Sequence, residues 1–404
     1  MKIVLCTGSF KTGIGGVASY AHDFIDAFIN QYSITVITND DYQEIEPYPI
    51  FHIKMTDFSI KNARNLLAII TKENPDIIIN SYFPLLSLIT PFIANQIKII
   101  SISHFTDGKL SWSAGLNAQY IDYIIALSTH NQNYLKKKFQ ISSTNKIQII
   151  YNYMHRLSMT NLSDKKNRKI LKIVYPGGCS YQKSAEIVCA ALKKLLKTDY
   201  IFDFFWLGST NIPGHKWVGV KTKSIKDCLP NDNRLKHIGP VTRIESQKIL
   251  SDANIFLLPS RGEGCPITLL EAMRGGCIPI ISDAKHGSLD IIQHKVNGIV
   301  THQNNVNDIV RYICDILSHP EKYNYMYDNT VKKFNSDLEY NVWLKKMESL
   351  LQGIQQHKER INFSTYQYQI KRYYLNLLYF LNWLKDRFCH QIYHFIYFRY
   401  IRHI

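Results

Sequence analysis

The sequence predicts two α/β domains in tandem, each a doubly wound Rossmann-like parallel sheet, with a helical tail at the C-terminus. Three observations carry this. Short Val/Ile-rich runs alternate with helix-length stretches, the pattern of parallel strands covered on both faces by crossover helices. The alternation breaks once, at the polar and charged stretch "HRLSMTNLSDKKNRK" (155–169), and then restarts. The chain has 404 residues, too many for one ordinary core.

In the first half, "KIVLC" reads as a strand and runs into the glycine-rich "TGSFKTGIGG". The helical pattern "VASYAHDFIDAFIN" follows, then the strand "SITVIT" and a helix near "IKNARNLLAIITKE". "PDIIIN" begins after a helix-breaking proline, and a helix near "PLLSLITPFIANQ" leads to "KIISIS", "DYIIALS" and "KIQIIYN". After 155–169, read as the interdomain linker, come "LKIVYPGG", a helix from about Lys183, "FDFFWLG", "LKHIG", a helix near "RIESQKIL", "NIFLLPS", a helix from about Pro266, and "IPIIS". The expected domains are residues 1–160 and 161–335, a helix over 336–354 that returns to the first domain, and a tail over 355–404. Ligands of such sheets bind beyond the carboxyl ends of the strands, so the cleft between two facing domains is the expected site.

Composition narrows the classes. Hydrophobic residues make up 46% and charged residues 20%, which is globular rather than disordered. The net charge of +16 attracts anions: phosphorylated substrates, an acidic membrane surface or nucleic acid. The eight cysteines are scattered, with no C-x-x-C pair and no zinc spacing, so a reducing, cytosolic compartment is expected. "MKIVLCTGSF" is too short in its apolar run for a signal peptide, and no segment offers the apolar length of a membrane span.

Four stretches carry candidate chemistry. "EGCPITLLE" (263–271) sits at a strand-to-helix turn, with Pro266 expected as the first helical residue. The N–H groups of Ile267 and Thr268 then lack partners and suit a phosphate. Glu263 would repel phosphate and fits sugar hydroxyls beside it; Glu271, about two turns on, reaches another part of the same ligand. The bland alternative makes Glu263 a favourable first-turn charge and Glu271 a solvated helix residue. "YPGGCSYQKSAE" (175–186) also joins strand to helix: Gly177 and Gly178 permit close backbone approach, and Lys183 is placed to neutralise a departing diphosphate, unless it is a plain solvated lysine. "GSFKTGIGGVASY" (8–20) lacks a G-x-G-x-x-G run into the helix and a clear ribose-reading acid, which counts against a dehydrogenase. "IISISHFTDG" (99–108) ends a buried strand on His104, at the side where the cleft belongs. No D-x-D occurs, so a metal-bound diphosphate is disfavoured. His286, His294 and His302 recur every eight residues over a turn, a helix and a strand end, which reads as coincidence. His390 and His394, one helical turn apart, read as packing rather than metal ligands.

The run from "GPVTRIESQKIL" through "FLLPSRGEGCPITLLEAMRGGCIPIIS" to "NGIV" resembles the donor-binding half of the family 4 retaining glycosyltransferases, which have the GT-B fold. The E-x7-E spacing, the "LLEAM" helix, the G-x-P-x-I-S strand and the later "NGI" carry the resemblance over about 60 residues. It implies that Glu263 contacts the hexose of a nucleotide-sugar donor and Glu271 the ribose. It matches Lys183 to a lysine that holds the pyrophosphate, Gly15 and Gly16 to a loop near the donor phosphates, and His104 to a histidine beside the transferred sugar. With them, Gly178, Ile267 and Thr268 complete the expected donor site. Two departures stand out. Pro266 removes one possible phosphate-binding N–H, and the family's second cation falls on Gly177; Arg261 is a candidate stand-in.

The tail departs from the rest. Residues 355–404 hold 14 of the 50 Phe, Trp and Tyr residues and a local net charge of 8 − 2 = +6. Basic aromatic helices suit the headgroup layer of an anionic membrane, while packing on the body is the alternative. The expected function is transfer of a hexose to an acceptor hydroxyl, on a lipid-linked or surface-polysaccharide glycan, with no metal or other cofactor and no nucleic acid. The expected place is the inner face of the plasma membrane. A sugar-nucleotide epimerase and a non-catalytic partner subunit are the rivals; a nucleic-acid binder is motivated by charge alone.

Overall fold

The structure is a computed structural model that describes residues 1–355 apart from 12–14, 106–107, 144, 155–161, 212–223 and 285. The basic tail beyond residue 355, with His390 and His394, lies outside the described residues. The chain divides into two compact units. The first holds Met1–Ile125, Leu135–Gln148 and, among the described residues, those from Leu350 on; the second holds Ala126–Tyr134 and Ile149–Ser349.

The first unit is built on β1 (Lys2–Thr7), β2 (Ser33–Thr38), β3 (Ile50–His52), β4 (Ile77–Ser81), β5 (Lys98–Ser103), β6 (Tyr123–Ala126) and β7 (Ile147–Ile149). They form one sheet in the order β3-β2-β1-β4-β5-β6-β7. Neighbouring strands from β3 to β5 run parallel. The inner strands are buried on both faces, which is why they read as unbroken Val/Ile runs rather than alternating ones. Helices α1 (Gly15–Phe28), α2 (Ile60–Glu73), α3 (Pro84–Ile89), α4 (Gly108–Gly115) and α5 (Thr129–Lys138) follow strands in turn. Strand β3 escapes the sequence reading because it is three residues long and poorly buried, at the sheet edge.

The second unit repeats the plan with β8 (Leu171–Tyr175), β9 (Phe202–Leu207), β10 (Leu235–Gly239), β11 (Ile255–Leu258), β12 (Ile278–Ser282) and β13 (Ile299–Thr301), in the order β10-β9-β8-β11-β12-β13. Its helices are α6 (Leu162–Lys166), α7 (Ala185–Leu195), α8 (Arg243–Asp252), α9 (Ile267–Arg274), α10 (Ser288–Ile291), α11 (Val306–Ser318), α12 (Asn324–Asp337) and α13 (Tyr340–Gln355). Strand order reverses between β1 and β4 in one unit and between β8 and β11 in the other, and such reversals open a crevice at the carboxyl ends.

The stretch read as a linker is only partly one. Its second half forms α6, and Lys165 is buried in the second unit, donating from Nζ to Ala253 O at 2.6 Å. A polar, charged composition signalled a loop, but one lysine carries its ammonium to a buried carbonyl. By contacts, the second unit takes in Ala126–Tyr134 as well as the chain from Ile149, and α13 straddles 349–350.

Candidate active site

In the second unit, the loops after β8 and β11 stand at the strand reversal. They are fastened together: the Arg261 N–H donates to Gln182 O at 2.8 Å, and Gln182 Nε2 donates to Gly262 O at 2.8 Å. This clamp brings Lys183 Nζ to 2.5 Å from Glu263 Oε1. Glu263 is 8% exposed, so its carboxylate is a buried charge that needs its cation. Lys183, with a side chain 27% exposed, keeps access to solvent.

Helix α9 starts one residue later than its sequence suggests. Pro266 is the cap, with φ −70 and ψ 118, and not the first helical residue. It cannot cap with its side chain, and the Leu269 N–H returns to Pro266 O at 3.0 Å. The amides of Ile267 and Thr268, ahead of it, have no carbonyl one turn back to bond. They stand in the first turn of the helix, in the same β11–α9 connection that carries Glu263.

Glu271 is 3% exposed, which removes the reading of a solvated helix residue. Gln247 Nε2 donates to its Oε1 at 3.2 Å, and Arg243 and Arg274 lie close enough to favour its charge. Burial dominates all the same and raises its pKa above the usual carboxylate range. Gln247 and Arg243 carry no sequence signal for this role, since α8 meets α9 only in the fold; Arg274 is one helical turn from Glu271 on α9 itself.

The departure at Gly177 and its candidate stand-in, Arg261, each have a structural account. A Cβ on Gly177 would stand 2.1 Å from Tyr175 Oη and 2.2 Å from Tyr175 Cζ. Tyr175 is fully buried, packs edge-on to Trp206 at 4.6 Å and donates to Lys183 O at 3.2 Å. A large side chain at 177 is therefore excluded unless the tyrosine moves. Gly178 has φ +54, left-handed backbone that favours glycine. Arg261 is engaged elsewhere: its guanidinium pairs with Glu186, donates to Tyr181 O at 2.5 Å and lies 3.9 Å over the Tyr181 ring.

In the first unit, His104 follows β5 and shares a 2.8 Å hydrogen bond with Ser81 Oγ. Burial pushes its pKa down to about 4, so the ring is neutral at physiological pH. Gly15 and Gly16 open α1; Gly13, in the same loop, lies outside the described residues. Asp40, just beyond β2, was not singled out by the sequence. It holds this loop: its Oδ2 accepts from the N–H groups of Phe10 at 2.7 Å and Lys11 at 3.0 Å and from Ser9 Oγ at 3.2 Å. In dinucleotide-binding sheets an acid here reads the ribose; here the carboxylate is spent on the backbone. The structure thus brings Lys183 to Glu263 in the second unit, with Ile267 and Thr268 in the first turn of α9 and Glu271 further along it. His104, Gly15 and Gly16 belong to the first.

Comparison with known proteins bears on the family and the fold. Residues 161–333 match the family of Glycosyl transferases group 1, and residues 14–154 match Glycosyltransferase Family 4. An uncharacterized glycosyltransferase of Haemophilus influenzae is 25% identical over 231 residues, 56% of this chain and 61% of the relative, so the chain matches under two thirds of that protein. The crystal structure of Anabaena HepE in complex with UDP superposes with a TM-score of 0.70 at 16% identity, over 87% of this chain and 100% of that one. A lipopolysaccharide outer core galactosyltransferase, WaaB, superposes with a TM-score of 0.66 at 19% identity, over 87% and 99%. With matches to glycosyltransferase families in both halves and the two-sheet architecture, the chain belongs to the glycosyltransferases of the GT-B type.

Proposed function

We propose that this protein is a retaining hexosyltransferase of the E-x7-E type that uses a nucleotide-sugar donor and needs no metal ion. The observation that carries the reading is the Lys183–Glu263 pair, held at the strand reversal on loops of which one leads into the first turn of α9. A diphosphate offers Lys183 a second, doubly anionic partner, and the amides of Ile267 and Thr268 add donors. Once Lys183 turns to the diphosphate, the Glu263 carboxylate is released to accept hydrogen bonds from hexose hydroxyls. Glu271 receives the ribose hydroxyls, and the family resemblance assigns His104, neutral, to orienting the sugar. In the step itself the acceptor oxygen bonds to the anomeric carbon on the face from which the diphosphate leaves. The sugar–diphosphate C–O bond breaks, and the acceptor proton passes to the departing phosphate oxygen.

HepE has been solved with UDP-glucose as well as UDP, which supports a nucleotide-sugar donor. The WaaB likeness supports a surface-glycan acceptor such as a lipid-linked saccharide. Composition of residues 355–404 supports attachment to an anionic membrane, and so a position on its cytoplasmic face. Metal independence rests on the sequence, which has no D-x-D.

The test is donor binding and nucleotide release with a panel of UDP-, GDP- and ADP-hexoses in EDTA. One donor is expected to bind and hydrolyse slowly, with loss in Glu263→Ala and Lys183→Ala. Conversion of the sugar without nucleotide release would make the protein an epimerase. No binding at millimolar donor would favour a non-catalytic partner subunit.

A further inference from the structure

His286 was dismissed by sequence as one of three histidines at coincidental spacing. In the structure it is 1% exposed, in the loop between β12 and α10, beside the loop that carries Glu263. Its two ring nitrogens have fixed roles. The Ser288 N–H donates to Nδ1 at 3.2 Å, so the neutral ring carries its proton on Nε2. Nε2 lies 3.3 Å from Ser282 Oγ and donates to it. The Ser282 hydroxyl in turn donates to Ser260 O at 2.6 Å. One residue after His286, the Gly287 N–H donates to Glu263 O at 3.1 Å. Gly287 is obligatory there, because a Cβ would stand 1.7 Å from Gly264 O. The loop organised by His286 therefore grips the Glu263 loop at two carbonyls, Ser260 and Glu263.

We propose that His286 is a positioning residue: as the Nε2–H tautomer it orders the β12–α10 loop, and through Ser282 and Gly287 that loop fixes the direction of Glu263. The imidazole does not touch substrate, since both its nitrogens are occupied by the protein. The charged and titratable groups near it are Glu263, Lys183 and His130. Burial holds the ring neutral, and with a pKa lowered to about 4 it keeps Nδ1 as an acceptor throughout the neutral range. The sequence hides this role because Ser260 and Glu263 lie on a different loop from His286, Ser282 and Gly287. The consequence for catalysis rests on the reading of Glu263 as the sugar-binding carboxylate; the structural part does not.

The experiment compares wild type with His286→Leu, which keeps volume and removes both bonds, and His286→Gln, whose amide N–H reaches the Nε2 position. Hydrogen exchange over residues 258–268 needs no donor. It is expected to rise roughly tenfold in His286→Leu and to be restored towards wild type in His286→Gln, with exchange in β8 and β9 unchanged. Acceleration confined to residues 286–289 would overturn the proposal, and so would a rise throughout the unit. Imidazole nitrogen shifts in the wild type are expected to show the Nε2–H tautomer; the Nδ1–H tautomer would also overturn it. In turnover with UDP-glucose, His286→Leu is expected to lose kcat while UDP alone binds within about twofold of wild type, since Glu263 meets the sugar rather than the nucleotide. Equal loss of UDP binding would refute the positioning of Glu263. If wild type itself binds neither UDP nor UDP-glucose, that result bears on the donor assignment, and the exchange measurement still decides the role of His286.

Discussion

Replacing Lys183 with methionine removes the cation that faces the buried carboxylate of Glu263. At 2.5 Å and an effective dielectric of ~20 the gross attraction of the pair is about 7 kcal/mol, most of which offsets the cost of taking both charges from water. What a mutation reads is the cost of stranding one partner. Glu263 is 8% exposed and cannot recover solvent without moving its loop, so Lys183→Met is expected to destabilise the second unit by about 3 kcal/mol. Lys183 is 27% exposed and recovers water readily, so Glu263→Gln is expected to cost only about 1.5 kcal/mol. The double variant leaves no unpaired charge and is expected to cost about 2 kcal/mol, a coupling of about 2.5 kcal/mol between the sites. With two units, a single unfolding curve does not define one free energy. The assay is therefore denaturant-dependent hydrogen exchange of β11 and β12 amides, which reports the second unit alone. Additive single variants, within about 0.5 kcal/mol, would show that the pair is a surface contact without energetic weight and would remove the basis for calling Glu263 a charge held in waiting.

Other perturbations follow from the same geometry. Gly177→Ala is expected to cost about 1–3 kcal/mol by overpacking against Tyr175, measured by the same exchange assay, and Tyr175→Ala in the same chain should recover part of it. Gly178→Ala, at φ +54, is expected to cost about 1 kcal/mol from backbone strain alone. Thr242→Ala, which removes the capping box between Thr242 and Glu245 at the start of α8, is expected to cost about 1 kcal/mol by the same exchange assay. His104 and His286 each have a pKa lowered from 6.5 to about 4 by burial. Below pH 6.5 the unfolded chain takes up protons that the folded chain refuses. The stability they give is thus complete above pH 6.5 and lost as pH falls towards 4, by about 3 kcal/mol from each at most. Denaturation midpoints measured from pH 7.5 to 4.5 should fall less in His286→Gln than in wild type.

The sequence by itself determined the alternation of strands and helices, because parallel strands covered on both faces must be apolar along their whole length, and "NIFLLPS" or "IPIIS" admits few other readings. It also placed Lys183 and Glu263 at strand-to-helix turns, where glycine, proline and a charged residue in a few positions mark a loop beside a helix start. It could not say that the two loops meet, because they are 80 residues apart and are joined by Gln182 and Arg261 only when β8 and β11 pair. Burial was equally out of reach: the spacing marks Glu271 as a ligand-binding candidate but does not show that α8 covers it with Gln247. Tyr175 reads as a strand residue until its ring occupies the space that a side chain at 177 would need. Asp40 and His286 read as nothing at all, since hydrogen bonds to backbone leave no spacing to detect. Local chemistry follows the chain and is written in the sequence; which carboxylates lose water, which cations they meet and which histidine holds a loop depend on distances across the fold, and only the tertiary structure sets those.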